Sequence, residues 1–333
     1  MAKKISQRRD FIKTVGLGGT LLALSVNTPA QEQTFPTKTI RIVSPFATGT
    51  AGDILGRLTA QKLAEKMKAS VVLENRPGAS GTVGAQYVVN ANPDGYTILL
   101  GGGPLVLNQA LDQSIPFKVE RDFSMLATVA RTKIILVTAN NANTPKTLQE
   151  LLAILRTRGE AENYASLGPV TMGRLTTAAV LNKVGVKATH VPYKGSSESL
   201  IALIRGDVLF GSDAVSAVLT AIKANQLRPL AVASQQRLAT LPDVPTLAEA
   251  GVPGVDINVW YGLLAPPKTP AAVVRRLAEG LSQVTADGDY QKALANIQFE
   301  IFNVEGAGFQ DFILKELAFW ESFFKTSGID LSK

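Results

Sequence analysis

The sequence contains no cysteine and a single histidine, His190, among its 333 residues. Without cysteine, the chain forms no disulfide and offers no thiolate to a metal ion. One histidine without an HExxH motif gives no support to a catalytic metal site. The phosphate-binding sequence GxxxxGK followed by Ser or Thr is also missing, which argues against phosphoryl transfer. We therefore predict that the protein uses neither a metal nor a cofactor.

An excess of charge of one sign is also lacking once the first thirty residues are set aside. The formal net charge is +7, but these thirty residues contain five basic residues and one acidic residue, so the rest of the chain carries +3. The remaining basic residues are spread out and form no stripe interleaved with aromatic residues. We therefore predict that nucleic acid is not a partner.

Long hydrophobic runs are scarce as well. Residues 15–26 form an apolar run that is too short to span a bilayer comfortably. Basic residues precede it and Thr28-Pro29-Ala30 follows it, which is typical of an export signal cleaved near Ala30. The preceding Gln7-Arg8-Arg9-Asp10-Phe11 resembles a twin-arginine signal, and an ordinary secretory leader is the alternative. We predict a mature protein that begins near Gln31 and is soluble in the periplasm.

The rest of the chain alternates between strands and helices. Residues 72–102 combine a strand, a glycine-rich turn, a helix and a second strand, which predicts a βαβ unit. The same alternation continues through strands near Tyr164, His190, Val208 and Leu230 and predicts parallel connections. The length and the hydrophobic content of 46% suit two globular domains. The pattern therefore predicts an α/β fold.

One helical face near the end of the chain is strongly apolar. Such a face could contact a membrane or a partner, but core packing is the more common explanation, and we predict it here. The residues on this face are Phe309, Phe312, Ile313, Leu317, Trp320 and Phe324.

Six sequence motifs occur in order along nearly the whole mature chain. They are SPFATGTAGD at residues 44–53, ENRPGASGTVGA at 74–85, ANPDGYT at 91–97, HVPYKG at 190–195, LPDVPTLAEAG at 241–251 and WYGLLAP at 260–266. Together these motifs resemble the substrate-binding receptors of bacterial tripartite tricarboxylate transporters, the Bug family.

The resemblance implies a two-lobed, type II periplasmic binding protein whose lobes close on a ligand about a hinge of two crossing segments. After an export signal at 1–30, we expect lobe 1 to comprise residues 31–133 and 262–333, and lobe 2 to comprise residues 134–261. It also implies a receptor and not an enzyme. We expect a monomer that captures a small organic carboxylate and delivers it to the membrane permease subunits of such a transporter.

Ligands of open α/β sheets bind where strands end and helices begin. Residues 49–52 would present unpaired backbone N–H groups to an anion there, although a tight turn would also require these glycines. Asp53 stands four residues before Arg57 and could pair with it, or could meet a ligand ammonium group. By matching loops, the predicted ligand-binding residues are Phe46, Thr48, Gly49, Thr50, Gly52, Asp53, Gly101, Gly102, Ser166, Thr171, Arg174, Gly195 and Asp213.

Two of these loops depart from the family pattern. Leu167, Val170 and Arg174 replace residues of a serine- and glycine-rich loop, while Thr48 and Thr50 replace the usual Pro and Gly of the first loop. The ligand's identity therefore does not follow from the family. Arg174 could pair with a second carboxylate or stack on an aromatic ring of the ligand. The alternative is a solvated arginine on the outer face of its helix.

Two other functions share parts of this pattern. A ligand-loaded protein that docks on a sensor kinase would use the same fold and the same cleft. A serine hydrolase could combine Ser166 with His190, but Tyr164-Ala-Ser-Leu-Gly168 lacks the first glycine of the GxSxG motif.

Overall fold

A computed structural model of the chain describes residues 35–111, 114–329 and 331. The predicted export signal lies outside the described residues. Within the described part of the chain, none of the helices combines the length and the apolar character needed to cross a membrane.

The described residues form ten strands and ten α-helices, with short 3-10 turns at Ala79–Gly81 and Gly159–Ala161. The strands are β1 (Ile40–Ser44), β2 (Val71–Asn75), β3 (Thr97–Gly102), β4 (Ser124–Ala139), β5 (Asn163–Ser166), β6 (Thr189–Pro192), β7 (Phe210–Ala214), β8 (Leu227–Val232), β9 (Asn258–Ala265) and β10 (Glu300–Ile301). The helices are α1 (Ala51–Met67), α2 (Thr82–Val89), α3 (Gly103–Ala110), α4 (Leu148–Arg158), α5 (Met172–Val184), α6 (Ser196–Arg205), α7 (Val215–Lys223), α8 (Ala271–Thr285), α9 (Gly288–Asn296) and α10 (Gly306–Ser327).

One long strand, β4, belongs to two half-sheets. Its residues 124–133 pair with β9, and its residues 134–138 and 135–139 pair with β7 and β8 respectively. We call the strands β2, β1, β3, β9 and the first part of β4 the first half-sheet. The second half-sheet contains β8, the last part of β4, β7, β5 and β6.

The predicted βαβ unit is present as β2, α2 and β3, and β1 lies between its two strands, parallel to both. Ile40, Ile42 and Val43 of β1 are fully buried, because β-branched side chains of a central strand pack under helices on the sheet faces. In the second half-sheet, β5 is parallel to β6 and β7. Each parallel strand is followed by a helix, so the turns that start the helices gather at the carboxyl ends of the strands.

The apolar face of α10 packs into the core, as predicted. Phe309, Ile313, Leu317 and Trp320 are buried, and Phe312 and Phe324 are partly buried against the same core. The ring of Trp260 in β9 meets Phe309 and Phe312 edge to face, with centroids 5.8 and 5.2 Å away. This face therefore fixes α10 to the first half-sheet.

A half-buried carboxylate, that of Glu316, adds a polar link at the same place. The indole N–H groups of Trp260 and Trp320 both donate to Oε2 of Glu316, over 3.1 and 3.2 Å. Burial raises the pKa of Glu316, and the two tryptophan hydrogen bonds oppose this rise in part. Glu316 thus connects β9 to two successive turns of α10.

The end of the chain contacts the other half of the molecule. The Leu331 carbonyl accepts a hydrogen bond from Arg174 in α5, and the Ser327 carbonyl accepts one from Asn182. Besides β4 and the segment 233–257, Ser327 and Leu331 therefore also connect the two halves.

Candidate functional site

A cavity of about 600 Å³ lies where the carboxyl ends of the parallel strands of both half-sheets meet. The first half-sheet contributes residues 45–47, 50–52, 77–81 and 104, the second contributes 167–173, 192–194 and 213–214, and β4 and β9 contribute Ile134, Val259 and Tyr261. This volume suits a small organic molecule.

The walls of the cavity are largely apolar. Phe46, Met172 and Tyr261 face it, and the rings of Phe46 and Tyr261 meet edge to face with centroids 5.4 Å apart. Among the described lining residues the charged side chains are Lys194, which is exposed, and Asp213, which is buried. Any polar recognition in this cavity therefore depends on few side chains and on backbone groups.

The first loop, residues 46–52, is shaped by two glycines. Gly49 has φ +81, a left-handed conformation that favours glycine, and its N–H donates to Asp53 Oδ2 over 3.0 Å. Gly52 lies against the ring of Phe46, and a Cβ atom at this position would overlap with that ring. The first turn of α1 can therefore approach the cavity closely, and Thr50, Ala51 and Gly52 line it.

Asp53 stabilises this loop from behind and does not line the cavity. It is buried, and its carboxylate accepts hydrogen bonds from Gly49 N and Asn75 Nδ2 and forms an ion pair with Arg57 at 2.9 Å. Burial alone would raise the pKa of Asp53, but these hydrogen bonds and the charge of Arg57 outweigh it and lower the pKa. Asp53 was expected to pair either with Arg57 or with a ligand ammonium group, and the structure shows the pair with Arg57.

The second loop, residues 166–173, is held by the single histidine. Ser166 Oγ lies 2.5 Å from His190 Nε2 and 2.9 Å from the Gly168 carbonyl oxygen. Burial, together with the positive charge of Arg174, lowers the pKa of His190 to about 4, so the imidazole is neutral at pH 7. Ser166 is 1% exposed, and neither residue of the pair lines the cavity. The serine–histidine contact that a hydrolase would need is thus present. Neither side chain reaches the cavity, so the pair lies behind its wall.

Arg174 was expected either to reach the ligand or to be solvated on the outer face of its helix, and the structure shows neither. It is only 4% exposed and does not line the cavity. Its Nη1 donates to the carbonyl oxygens of Pro169, at 2.6 Å, and of Leu331, at 2.7 Å. The Thr171 side chain accepts from the Arg174 N–H over 3.3 Å and so begins α5 at the cavity. The arginine side chain therefore connects the second loop to the end of the chain.

Asp213 differs from all other lining residues. Its side chain is 7% exposed and faces the cavity at the end of β7. One carboxylate oxygen, Oδ1, accepts from Ala214 N over 2.7 Å, and Oδ2 has no hydrogen-bond partner among the described residues. Burial raises the pKa of Asp213 to about 6, and the nearby Ser196 hydroxyl and the Ala214 N–H oppose this only in part. Burial and the charge of Asp213 also raise the pKa of Tyr261.

The structure brings five of the predicted residues to the cavity wall: Phe46, Thr50, Gly52, Thr171 and Asp213. The other eight do not line it: Thr48, Gly49, Asp53, Gly101, Gly102, Ser166, Arg174 and Gly195. Gly195 packs beside Ala47, and Gly102 lies beneath the Trp260 carbonyl. The prediction missed Tyr193, Tyr261 and residues 77–81, although each lies within one of the sequence motifs that carry the family resemblance.

Within the described residues, no group of three or more histidine or acidic side chains is placed to hold a metal ion. The lining of the cavity offers backbone groups, hydroxyls and one carboxylate instead. Such groups bind an organic ligand by hydrogen bonds.

Comparison with known proteins gives a family for the chain. The chain matches the family described as "Tripartite tricarboxylate transporter family receptor" over residues 55–329. It is 33% identical over 284 residues to a UPF0065 protein of Pseudomonas sp. (strain P51), which covers 84% of each chain.

Two solved structures are similar over nearly their full length. The periplasmic binding protein BugD is 26% identical, with a TM-score of 0.84, and the match covers 89% of this chain and 99% of BugD. The R. palustris protein Rpa4515, determined with adipate, is 31% identical, with a TM-score of 0.84 and the same coverage. The predicted α/β periplasmic binding protein fold is confirmed. The chain belongs to the tripartite tricarboxylate transporter receptor family, as its sequence motifs indicated.

Proposed function

We propose that this member of the receptor family binds a small organic carboxylate in the described cavity and delivers it to the membrane subunits of a tripartite tricarboxylate-type transporter. The cavity is large enough for such a molecule and is walled by loops from both half-sheets. Rpa4515, which shares the fold at 31% identity, was determined with adipate, a small carboxylate. These two facts support a carboxylate as the ligand class.

The observation that carries this proposal is the meeting of two helix starts at one cavity. Residues 50–52 begin α1 and residues 171–173 begin α5, and both segments line the cavity from opposite half-sheets. The first N–H groups of a helix have no partner within the helix and lie at the positive end of its dipole. They can therefore hold a carboxylate without a cationic side chain.

We further propose that the two halves act as lobes, with residues 31–133 and 262–333 in one and 134–261 in the other. The segments that join them would bend when a ligand bridges the cavity. Small-angle scattering of the mature protein should show a smaller radius of gyration with saturating ligand. Identical profiles would contradict closure.

The remaining parts of the proposal concern how the protein works in the cell. We propose a periplasmic, monomeric receptor without enzymatic turnover, exported by a twin-arginine signal and beginning near Gln31. The place of the Ser166–His190 pair behind the cavity wall supports the absence of turnover. Replacement of Arg8 and Arg9 by lysine should block export, whereas unchanged export would indicate the general secretory route.

Thermal unfolding with a panel of mono- and dicarboxylates, including adipate, tests the ligand class. A ligand at a hundred times its dissociation constant adds about 2.7 kcal/mol of stability. The half-buried Leu167 lines the cavity, so Leu167→Trp should fill part of it and remove the shift. The matched control is Leu314→Trp, at an exposed position of α10, which should keep the shift.

Three results separate the possibilities. A carboxylate that stabilises the wild type and Leu314→Trp, but not Leu167→Trp, supports binding in the cavity. Equal stabilisation of both variants would place the ligand elsewhere. A panel without any stabilising carboxylate would contradict the proposed ligand class.

A further inference from the structure

Asp213 is a buried acid, and one of its two carboxylate oxygens has no hydrogen-bond partner among the described residues. Its side chain is 7% exposed, it lines the cavity, and its Oδ1 is occupied by Ala214 N at 2.7 Å. Its Oδ2 has no partner among the described residues. Buried polar atoms of native proteins are nearly always hydrogen-bonded, so an unpaired acceptor on a residue that lines a ligand cavity indicates a donor on the ligand.

The surroundings of Asp213 do not neutralise it. No cationic side chain contributes to its pKa, and burial raises that pKa to about 6. The exposed Lys194 is the cationic side chain of the described cavity lining. A carboxylate that is buried without a positive partner gains most from a ligand group that supplies a proton or a positive charge.

Two buried hydroxyls occur in the same part of the fold. Ser196 opens α6 and Ser216 lies in the first turn of α7, and the oxygen of each is buried. Ser196 is also close enough to Asp213 to oppose the rise in its pKa. The end of β7 therefore has three buried polar side chains nearby, of which Asp213 lines the otherwise mostly apolar cavity.

Building on the proposed function, we propose that Asp213 accepts a hydrogen bond from the ligand, so that the carried acid combines a carboxylate and an apolar body with an amino or hydroxyl group. The helix starts of α1 and α5 would hold the carboxylate, and the apolar walls would surround the body. A second carboxylate is disfavoured at Asp213, because two like charges would meet in a buried place. The proposal thus selects amino and hydroxy acids over plain dicarboxylates.

Calorimetric titration of the mature protein at pH 7.5 with matched ligands tests this selection. One series consists of hexanoate, its terminal amino and hydroxyl derivatives, and adipate, which is the dicarboxylate of the same length. A shorter series consists of butanoate, its two terminal derivatives and succinate, and a third compares phenylpropanoate with phenylalanine and phenyllactate. We expect a donor-bearing acid to bind about tenfold to a hundredfold more tightly than its parent acid in at least one series.

The variant Asp213→Asn identifies the residue responsible. It should remove most of the preference for the amino derivative over the parent acid, whereas the affinity for the parent acid should not fall, because a negative charge is removed from the cavity that binds an anion. Asp207→Asn, at an exposed aspartate of the same half of the molecule, is the matched control and should retain the full preference. A preference for the hydroxyl derivative that exceeds that for the amino derivative would identify a hydroxy acid as the ligand class.

The outcomes keep this inference distinct from the proposed function. If acids bind in the cavity but no donor-bearing acid is preferred, or a plain dicarboxylate binds most tightly, the role of Asp213 is refuted and the receptor function stands. A preference that survives in Asp213→Asn also refutes it. If no acid of any series binds, the ligand class itself is contradicted along with the inference.

Discussion

Two aspartates occupy similar positions in the two halves of the molecule and have opposite surroundings. Asp53 lies in the first turn of α1 and Asp213 lies just before α7, and they are 3% and 7% exposed. The Asp53 carboxylate receives hydrogen bonds from Gly49 N and Asn75 and pairs with Arg57. Asp213 receives one hydrogen bond, from the next residue along the chain.

The pKa values of the two carboxyl groups consequently move in opposite directions. Burial raises both, but the donors around Asp53 reverse the effect, whereas Asp213 reaches a pKa of about 6. Only Asp213 lines the cavity. Similar burial therefore does not determine the pKa of a carboxyl group. The hydrogen-bond donors and charges around the group determine whether its pKa is lowered, as for Asp53, or raised, as for Asp213.

The largest effect should follow from removal of the paired carboxylate. We expect Asp53→Ala to lower the free energy of unfolding by about 2 to 3 kcal/mol, because Gly49 N and Asn75 lose a charged acceptor. Urea unfolding at pH 7 measures this, with the exposed Asp243→Ala as control. Because the pKa of Asp53 is lowered from its ordinary 3.8, its contribution exists above pH 3.8 and is lost as the pH falls further. A loss no larger than that of the control would contradict the structural role.

Replacement of the unpaired carboxylate should have the opposite sign. We expect Asp213→Asn to raise the free energy of unfolding of the ligand-free protein at pH 7.5 by about 1 to 2 kcal/mol, since a buried charge without a partner is removed. The folded-state pKa of about 6 exceeds the ordinary 3.8, so the penalty develops between these pH values and is complete above pH 6. The advantage of the variant should therefore disappear near pH 4.

Urea unfolding at pH 4 and pH 7.5 checks this second expectation. Asp207→Asn, which changes an exposed aspartate, should have the stability of the wild type at both pH values. Destabilisation by Asp213→Asn at both pH values would show that the carboxylate makes stabilising contacts and would remove the contrast with Asp53.

Replacement of Asn75, the neutral partner of Asp53, should cause a smaller loss of unfolding free energy. Asn75 Nδ2 donates to Asp53 Oδ1 over 2.9 Å and to the Phe46 carbonyl over 3.0 Å. We expect Asn75→Ala to cost about 1 to 2 kcal/mol in urea unfolding, and the exposed Asn92→Ala to cost less. The double variant with Asp53→Ala should lose less than the sum of the two single losses, because both remove the same hydrogen bond. Strict additivity would show that the two side chains act independently.

Replacement of Arg57, the charged partner of Asp53, should have the smallest effect on the free energy of unfolding. The Arg57 side chain is 55% exposed, so its ion pair with Asp53 is screened by solvent. We expect Arg57→Ala to cost about 0.5 kcal/mol, and the cost should decrease further at high salt. Unfolding at low and high ionic strength measures both. A loss as large as that of Asp53→Ala would make the ion pair, and not the hydrogen bonds, the main difference between the two aspartates.

The sequence was sufficient for the fold and the family, because both depend on patterns that lie close together along the chain. Alternation of strands and helices predicted the parallel units, and turns such as residues 74–85 carried the family resemblance. The loops that line the cavity follow directly from this topology, since the carboxyl ends of parallel strands gather at one place.

The directions of individual side chains could not be predicted in the same way. Arg174 turns toward the Leu331 carbonyl, which lies 157 residues further along the chain, and Ser166 turns toward His190. Asp53 and Asp213 both qualified as ligand-binding residues by sequence, but the hydrogen bonds that Asp53 accepts from Gly49, in the preceding turn, and from Asn75, on a neighbouring strand, distinguish them. Tyr261 reaches the cavity from β9, a strand that enters the sheet between β3 and β4 from far along the chain.

The two tryptophans that hydrogen-bond to the Glu316 carboxylate provide an intrinsic fluorescence signal. The chain has two tryptophans, and both indole N–H groups are bonded to this one group. Trp260 is the neighbour of Tyr261, whose ring lines the cavity. All tryptophan emission therefore originates at one junction of β9 and α10, and a change of intrinsic fluorescence on ligand addition would report movement at this junction without an attached dye. Glu316→Gln would retain both indoles while altering the charge beside them, which gives a direct assignment of the signal.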